Sequence, residues 1–218
     1  MMHIPDGFVN VGTAAVTYVG AAGAVAYSVR RTNQELHERQ VPLMGVMAAF
    51  IFAAQMINFT VVGGTSGHLL GGALAAILLG PWVGTLVIAS VLVVQALLFQ
   101  DGGLLALGAN TLNMAVVGVW CGYGLYVLLR RVVVGRSSLW VAGFASAWAS
   151  VVVAAALAAV ELAISGMAPL GVVLPAMVGV HALIGIGEGL ITTGVLGFLA
   201  ATRRDLLALR SADAGGAR

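Results

Sequence analysis

The stretch WVGTLVIASVLVVQALLF, residues 82–99, decides the fold class because it contains no charged side chain. An α-helix needs about 20 apolar residues to cross the hydrocarbon core of a bilayer. Similar runs recur along the whole chain, which is 61% hydrophobic and 8% charged, against about 25% charged residues in soluble domains. The sequence therefore predicts an all-α integral membrane protein in the lipid bilayer.

The positive charges set the orientation. All ten basic residues are arginines, and they lie in a first loop (residues 30–39), a second loop (130–136) and the carboxyl-terminal tail (203–218). The positive-inside rule places all three in the cytoplasm. Arginines in short loops without interleaved aromatic residues do not indicate nucleic-acid binding. Seven transmembrane helices satisfy the parity of crossings, with the amino terminus outside and the carboxyl terminus cytoplasmic: Phe8–Val29, Leu43–Val61, His68–Leu79, Trp82–Phe99, Leu104–Leu129, Leu139–Val160 and Val172–Leu199.

The segment His68–Leu79 is shorter than a membrane span. We expect its ends to be buried among other helices or in a cavity. The same parity of crossings places His3, His68 and Asp101 near one outer face of the protein.

The amino-terminal segment has no positive charge before the first apolar run, so it does not resemble a signal peptide. We expect the amino terminus to stay free and tucked into the core. The predicted organisation is one membrane domain, residues 1–218. It divides into a metal-chelating amino terminus (1–7), a seven-helix bundle (8–200) and a cytoplasmic tail (201–218).

Two histidines could bind a transition metal. His3 lies next to the terminus, where a free amine and backbone amides are close to its imidazole. His68 ends the glycine-rich stretch Gly63-Gly64-Thr65-Ser66-Gly67-His68. A set of nitrogen ligands in a plane suits Ni²⁺, Cu²⁺ or Co²⁺ better than Mg²⁺ or Ca²⁺, which prefer oxygen.

Further polar residues lie inside the apolar runs, where ionisable side chains are candidates for function. His181 and Glu188 are seven residues apart and should share a helix face, as should Asn110 and Asn113. Hydrogen bonding between helices explains such residues, and so does support of the metal ligands. The candidates for that support are Thr65, Ser66, Asn110 and His181.

Two other functions fit parts of the sequence. Gly64-Thr65-Ser66-Gly67 has the form found in intramembrane serine proteases of the rhomboid family, and His181 could serve as the base. That hypothesis gives His3 and His68 no role. The second alternative is a stand-alone metal permease that needs no ATPase.

Several motifs, in this order, resemble the CbiM/NikM family, the substrate-binding membrane subunits of energy-coupling-factor cobalt and nickel transporters. The resemblance extends from residue 2 to about residue 200. The matching motifs are Met2-His3-Ile4-Pro5-Asp6-Gly7-Phe8, residues 63–72, Gly80-Pro81-Trp82, residues 95–99, Asp101-Gly102-Gly103, Gly108-Ala109-Asn110 and residues 181–185.

The resemblance implies a seven-helix transport subunit, not an enzyme, in the bacterial cell membrane. It implies no covalently bound cofactor, with Ni²⁺ or Co²⁺ as the transported substrate. The implied ligands are the Met2 amine, the His3 amide and ring, and His68. The implied partners are a CbiQ/NikQ-like coupling subunit, a CbiO/NikO-like ATPase and a small CbiN/NikN-like membrane subunit.

The histidine is the second residue in the family but the third here, so we expect the mature chain to start at Met2. A chain that starts at Met1 could fill four planar positions with its amine, two amides and the His3 ring, which would displace His68.

Overall fold

The computed structural model describes residues 2–36, 38–57, 59–61, 65–135 and 137–207, without the side chains of residues 39, 59–61, 65 and 66. The main helices of these ranges are α1 (Val11–Glu35), α2 (Val41–Gln55), α3 (Gly72–Leu79), α4 (Pro81–Phe99), α5 (Leu107–Val132), α6 (Ser138–Ile164) and α7 (Leu170–Thr202). A short 3-10 helix, Glu38–Gln40, precedes α2. Helix α4 ends in a π-helical turn, Gln95–Phe99, and α5 contains another, Thr111–Gly118.

Five of these helices, α1, α4, α5, α6 and α7, are long and apolar enough to cross a membrane. Helix α2 has 15 residues and α3 has 8, so both fall short of a full span. The predominantly helical, multi-pass architecture is confirmed. Seven crossings and the outward amino terminus remain predictions.

Local sequence explains where the helices begin. The Asn10 side chain accepts a hydrogen bond from Thr13 N at 2.8 Å and caps α1. Between α3 and α4, Gly80 has a φ of 95°, and Pro81 follows in the first turn of α4. A left-handed glycine ends one helix and a proline starts the next, so the predicted boundary between the segments that end at Leu79 and begin at Trp82 is confirmed.

The prediction of a helix over Leu43–Val61 is wrong at the carboxyl end of that segment. Helix α2 ends at Gln55, and strand β1 (Phe59–Val61) pairs antiparallel with β2 (Thr65–Gly67), so that Phe59 lies opposite Gly67. The aromatic and β-branched side chains of residues 59–61 favour a strand over a helix. The glycine pair at 63–64 lies outside the described residues.

The helix predicted from His68 begins only at Gly72. Residues 68–71 form a non-helical turn, and Gly71 has a φ of 76°. This left-handed conformation suits glycine and interrupts a helix. A Cβ at Gly71 would also lie 2.8 Å from the Ile51 side chain.

Helix α3 lies in the middle of the molecule. All eight of its residues are buried, and α4, α5 and α6 pack around it. The expectation that this short segment is enclosed by other helices is therefore confirmed. Small residues allow the close approach: a Cβ at Gly84 in α4 would lie 3.1 Å from the Ala76 backbone.

Candidate metal-binding site

The two histidines selected from the sequence are in contact. The ring centroids of His3 and His68 are 4.4 Å apart, and the two residues are 4% and 2% exposed. His68 Nδ1 lies 2.8 Å from Leu69 O, which can only accept, so this nitrogen carries the hydrogen. Nε2 of His68 has no hydrogen-bond partner within the described residues. Its lone pair is therefore available to a ligand.

Burial keeps His68 neutral. Loss of solvation, followed by the charge of the neighbouring His3, lowers the pKa of His68 to about 3. A neutral imidazole is the form that binds metal ions. His68 is therefore in its ligand form throughout the physiological pH range.

Asp101 is the third ionisable group at this place. It lies in the loop between α4 and α5, and its Oδ1 is 2.9 Å from His3 Nδ1. The hydrogen bond from His3 is the main cause that lowers the pKa of Asp101. The predicted proximity of His3, His68 and Asp101 is confirmed. Among the described residues, no cluster of three or more His, Cys, Asp or Glu side chains is arranged to hold a metal ion.

The amino-terminal segment is fixed inside the protein. Met2 and Ile4 are each 1% exposed. Ile4 N donates to Asn110 Oδ1 at 2.8 Å, while Asn110 Nδ2 and Gly103 N donate to Ile4 O at 3.0 Å and 2.9 Å. The expected burial of the segment is therefore confirmed, and Asn110 supports the residue that directly follows His3.

A second anchor lies three residues after His3. The Asp6 carboxylate accepts hydrogen bonds from Leu104 N (3.1 Å), Leu105 N (2.7 Å) and Ala106 N (3.3 Å), just before α5 begins. A carboxylate is stabilised by free amides at the amino end of a helix. Gly103 makes room for it, since a Cβ there would lie 2.1 Å from Asp6 Oδ1.

The turn that carries His68 is held by two other helices. The Glu188 carboxylate of α7 accepts from Leu70 N through Oε2 and from Gly71 N through Oε1, the latter at 2.8 Å. Gln55, the last residue of α2, donates from Nε2 to Leu70 O at 2.8 Å. Sequence patterns do not indicate these contacts, although a glutamate within an apolar run does indicate that Glu188 has a partner.

The remaining candidates fall in three groups. Thr65 and Ser66 have backbones in β2, but their side chains lie outside the described residues. His181 is fully buried, and its Nδ1 is 2.7 Å from Met177 O in its own helix. Asn113 donates to Glu161 Oε2 at 2.6 Å, which is the hydrogen bonding between helices that the sequence suggested.

An anchored amino terminus with a buried histidine pair, inside a bundle that includes five membrane-length helices, defines a multi-pass membrane protein with an internal nitrogen-rich site. A family model described as "Cobalt uptake substrate-specific transmembrane region", CbiM, matches residues 3–206. The chain belongs to this family, whose members are components of metal transporters.

Relatives that are similar over most of this chain are named as metal transport proteins. A putative metal transport protein of Haloquadratum walsbyi is 44% identical over 94% of this chain and 93% of its own length. A putative fused nickel transport protein NikMN of Archaeoglobus fulgidus is 44% identical over 97% of this chain and 70% of its own. The fused nickel transport protein NikMN of Rhodobacter capsulatus is 38% identical over all of this chain and 67% of its own.

The fold is also known from experiment. A crystal structure of a truncated transition metal transporter matches with a TM-score of 0.85 and 32% identity, over 91% of this chain and 98% of that one. A second transition metal transporter structure matches with a TM-score of 0.84 and 32% identity, over 91% and 92%.

Proposed function

We propose that this chain is the substrate-capture subunit of an ATP-driven energy-coupling-factor transporter that imports Ni²⁺ or Co²⁺. The observation that supports it best is the buried contact between His3 and His68, 65 positions apart in sequence. Burying two imidazoles away from water costs free energy unless their nitrogens have hydrogen-bond or metal partners. A transported metal ion supplies that partner.

The proposed ligands are the Met2 amine, the His3 amide nitrogen, the His3 ring and His68 Nε2. The first three belong to consecutive groups of one chain end and close two chelate rings, while His68 completes a planar set of nitrogens. The second ring uses His3 Nδ1, which must give up its 2.9 Å contact with Asp101 Oδ1 when the metal binds. Such a set suits Ni²⁺ and Co²⁺. If the chain starts at Met1, the Met1 amine and the Met2 amide join the His3 amide and ring, and His68 is displaced.

The proposal includes three partners: a CbiQ/NikQ-like coupling subunit, a CbiO/NikO-like ATPase and a small CbiN/NikN-like membrane subunit. This sequence contains no glycine-rich Walker motif, so a separate protein must hydrolyse ATP. The two fused relatives carry the letters M and N in one name, which supports the N-type partner.

The proposed topology has seven crossings, with α2 and α3 completing the bundle, and places the His3 end outside. Clustering of all arginines in three segments supports it. The proposed location is the cell membrane. The named relatives come from archaea and bacteria, so a bacterial source remains a prediction.

Metal uptake by cells tests the function. We expect uptake of radioactive Ni²⁺ or Co²⁺ when this chain is produced with a coupling subunit and an ATPase, and none when the Walker lysine of that ATPase is replaced. Uptake by this chain alone would instead support the stand-alone permease.

The protease alternative makes a different prediction. Ser66→Ala would then abolish activity, whereas the amino terminus would be irrelevant. If the chain is instead a transport subunit, the Ser66→Ala variant should still support uptake of Ni²⁺ or Co²⁺.

A further inference from the structure

We propose that Glu188 is a positioning residue for His68, and that it acts through the backbone of residues 69–71. The inference rests on the proposed function, since it assigns to His68 the role of a metal ligand. It adds a device by which Glu188 of α7, 120 positions further along the chain than His68, sets the orientation of that ligand.

The first part of the device is a peptide group shared by two hydrogen bonds. Leu69 C=O and Leu70 N–H belong to the same planar peptide. The carbonyl accepts from His68 Nδ1 at 2.8 Å, and the N–H donates to Glu188 Oε2. When Glu188 fixes the plane of this peptide, it also fixes the carbonyl that orients the His68 ring.

The second part is the next peptide. Gly71 N–H donates to Glu188 Oε1 at 2.8 Å, and Leu70 C=O accepts from Gln55 Nε2 at 2.8 Å. Two consecutive peptide planes are thus clamped by one carboxylate, and both Glu188 and Gln55 are buried to 1% exposure or less. The remaining freedom of the turn is small, because Gly71 packs against Ile51.

The arrangement extends a known relation between carboxylates and metal-binding histidines. Such histidines usually donate their second ring N–H to a carboxylate or carbonyl, which fixes the tautomer and strengthens the ligand. Here a peptide stands between the imidazole and the carboxylate. An acceptor oxygen on the N–H side polarises the peptide and strengthens its carbonyl as an acceptor.

Glu188→Gln is the sharpest test. An amide group keeps the shape of the side chain but replaces one acceptor oxygen with a donor NH₂, which cannot accept from Leu70 or Gly71. The matched control is Glu161→Gln, a buried carboxylate of α6 whose partner is Asn113. Each variant replaces a carboxyl group with an amide, and the two positions are the buried glutamates of the described spans.

The measurements are Ni²⁺ affinity by titration of the purified full chain, the ligand-field absorption of bound Ni²⁺, and thermal unfolding of the metal-free protein. We expect E188Q to bind Ni²⁺ about 10- to 100-fold more weakly, the usual effect of losing such support. Its absorption should shift to longer wavelength, as in His68→Ala, because one nitrogen leaves the metal. E161Q should keep the wild-type affinity and spectrum.

The outcomes separate the two hypotheses. Wild-type protein that binds neither Ni²⁺ nor Co²⁺ contradicts the proposed function. Wild-type binding with a spectral shift in H68A but an unchanged spectrum and affinity in E188Q overturns the role of Glu188. If E188Q does not fold, Gln55→Leu replaces it: a several-fold loss of affinity supports the clamp, and wild-type affinity refutes it.

Discussion

Asn110 binds both backbone groups of Ile4. Ile4 N donates to Asn110 Oδ1 at 2.8 Å, and Asn110 Nδ2 donates to Ile4 O at 3.0 Å. This reciprocal pair joins α5 to the residue after His3 across 106 positions of sequence. It holds the amino-terminal segment in the core much as a strand holds its neighbour. We therefore expect metal capture by the chain end to depend on this anchor.

Asn110→Ala should therefore weaken Ni²⁺ binding. A buried backbone group without a partner costs roughly 1–3 kcal/mol, so the segment will leave its place more often, and affinity should fall about ten- to a hundredfold. Titration of the purified protein measures the effect. Asn113→Ala is the control, since Asn113 is also buried in α5 but bonds to Glu161. Equal losses in both variants would mean that Asn110 has no special role.

Gly103→Ala should displace Asp6 from the start of α5. The added Cβ would lie 2.2 Å from Asp6 N and 2.1 Å from its Oδ1, distances that no side chain tolerates. We expect most Ni²⁺ affinity to disappear while the helix content by circular dichroism is retained. Gly124→Ala in α5 meets nothing within 4 Å and should keep full affinity. Wild-type binding by G103A would contradict the anchoring role of Asp6.

The sequence predicted the membrane helices well because their signal is local. Uncharged runs define a helix such as α4 without knowledge of its neighbours. The clustering of arginines and the parity of crossings also predict that His3, His68 and Asp101 lie near one another. The prediction was wrong where a short apolar segment can take two forms: residues 59–61 are as apolar as a helix end but form a strand.

The support of the site could not be predicted in the same way. Asp6 bonds to residues 104–106, and Glu188 bonds to residues 70 and 71, across about a hundred positions. These hydrogen bonds use backbone N–H groups, which every residue except proline carries. No pattern of side chains identifies such acceptor sites, so only the packed structure shows them.

His68 should not titrate near neutral pH. Its folded pKa is about 3, against 6.5 when it is free. The ¹³Cε1 chemical shift of His68, assigned with His68→Gln, should therefore stay constant from about pH 5 to about pH 8 in the metal-free protein. A midpoint near the ordinary value would show that His68 is exposed to water.

The lowered pKa of His68 also makes the stability of the protein depend on pH. Between pH 3 and 6.5 the unfolded chain binds a proton at His68 that the native chain does not, so native stability falls as the pH is lowered through this window. His68→Gln removes this contribution. When the pH is lowered from about 7.5 to about 5.5, the unfolding temperature should fall less in H68Q than in the wild type. An equal loss would contradict the buried neutral state.

The central claim is that the chain end itself binds the metal beside His68. The most direct measurement is Ni²⁺ binding, with intact mass of the complex, by protein whose amino terminus is extended by a short uncleaved tag, compared with the same tag at the carboxyl terminus. We expect one Ni²⁺ per chain with the carboxyl-terminal tag. With the amino-terminal tag we expect none, although both proteins should unfold at the same temperature. Equal Ni²⁺ binding by the two proteins would show that the chain end is not a ligand.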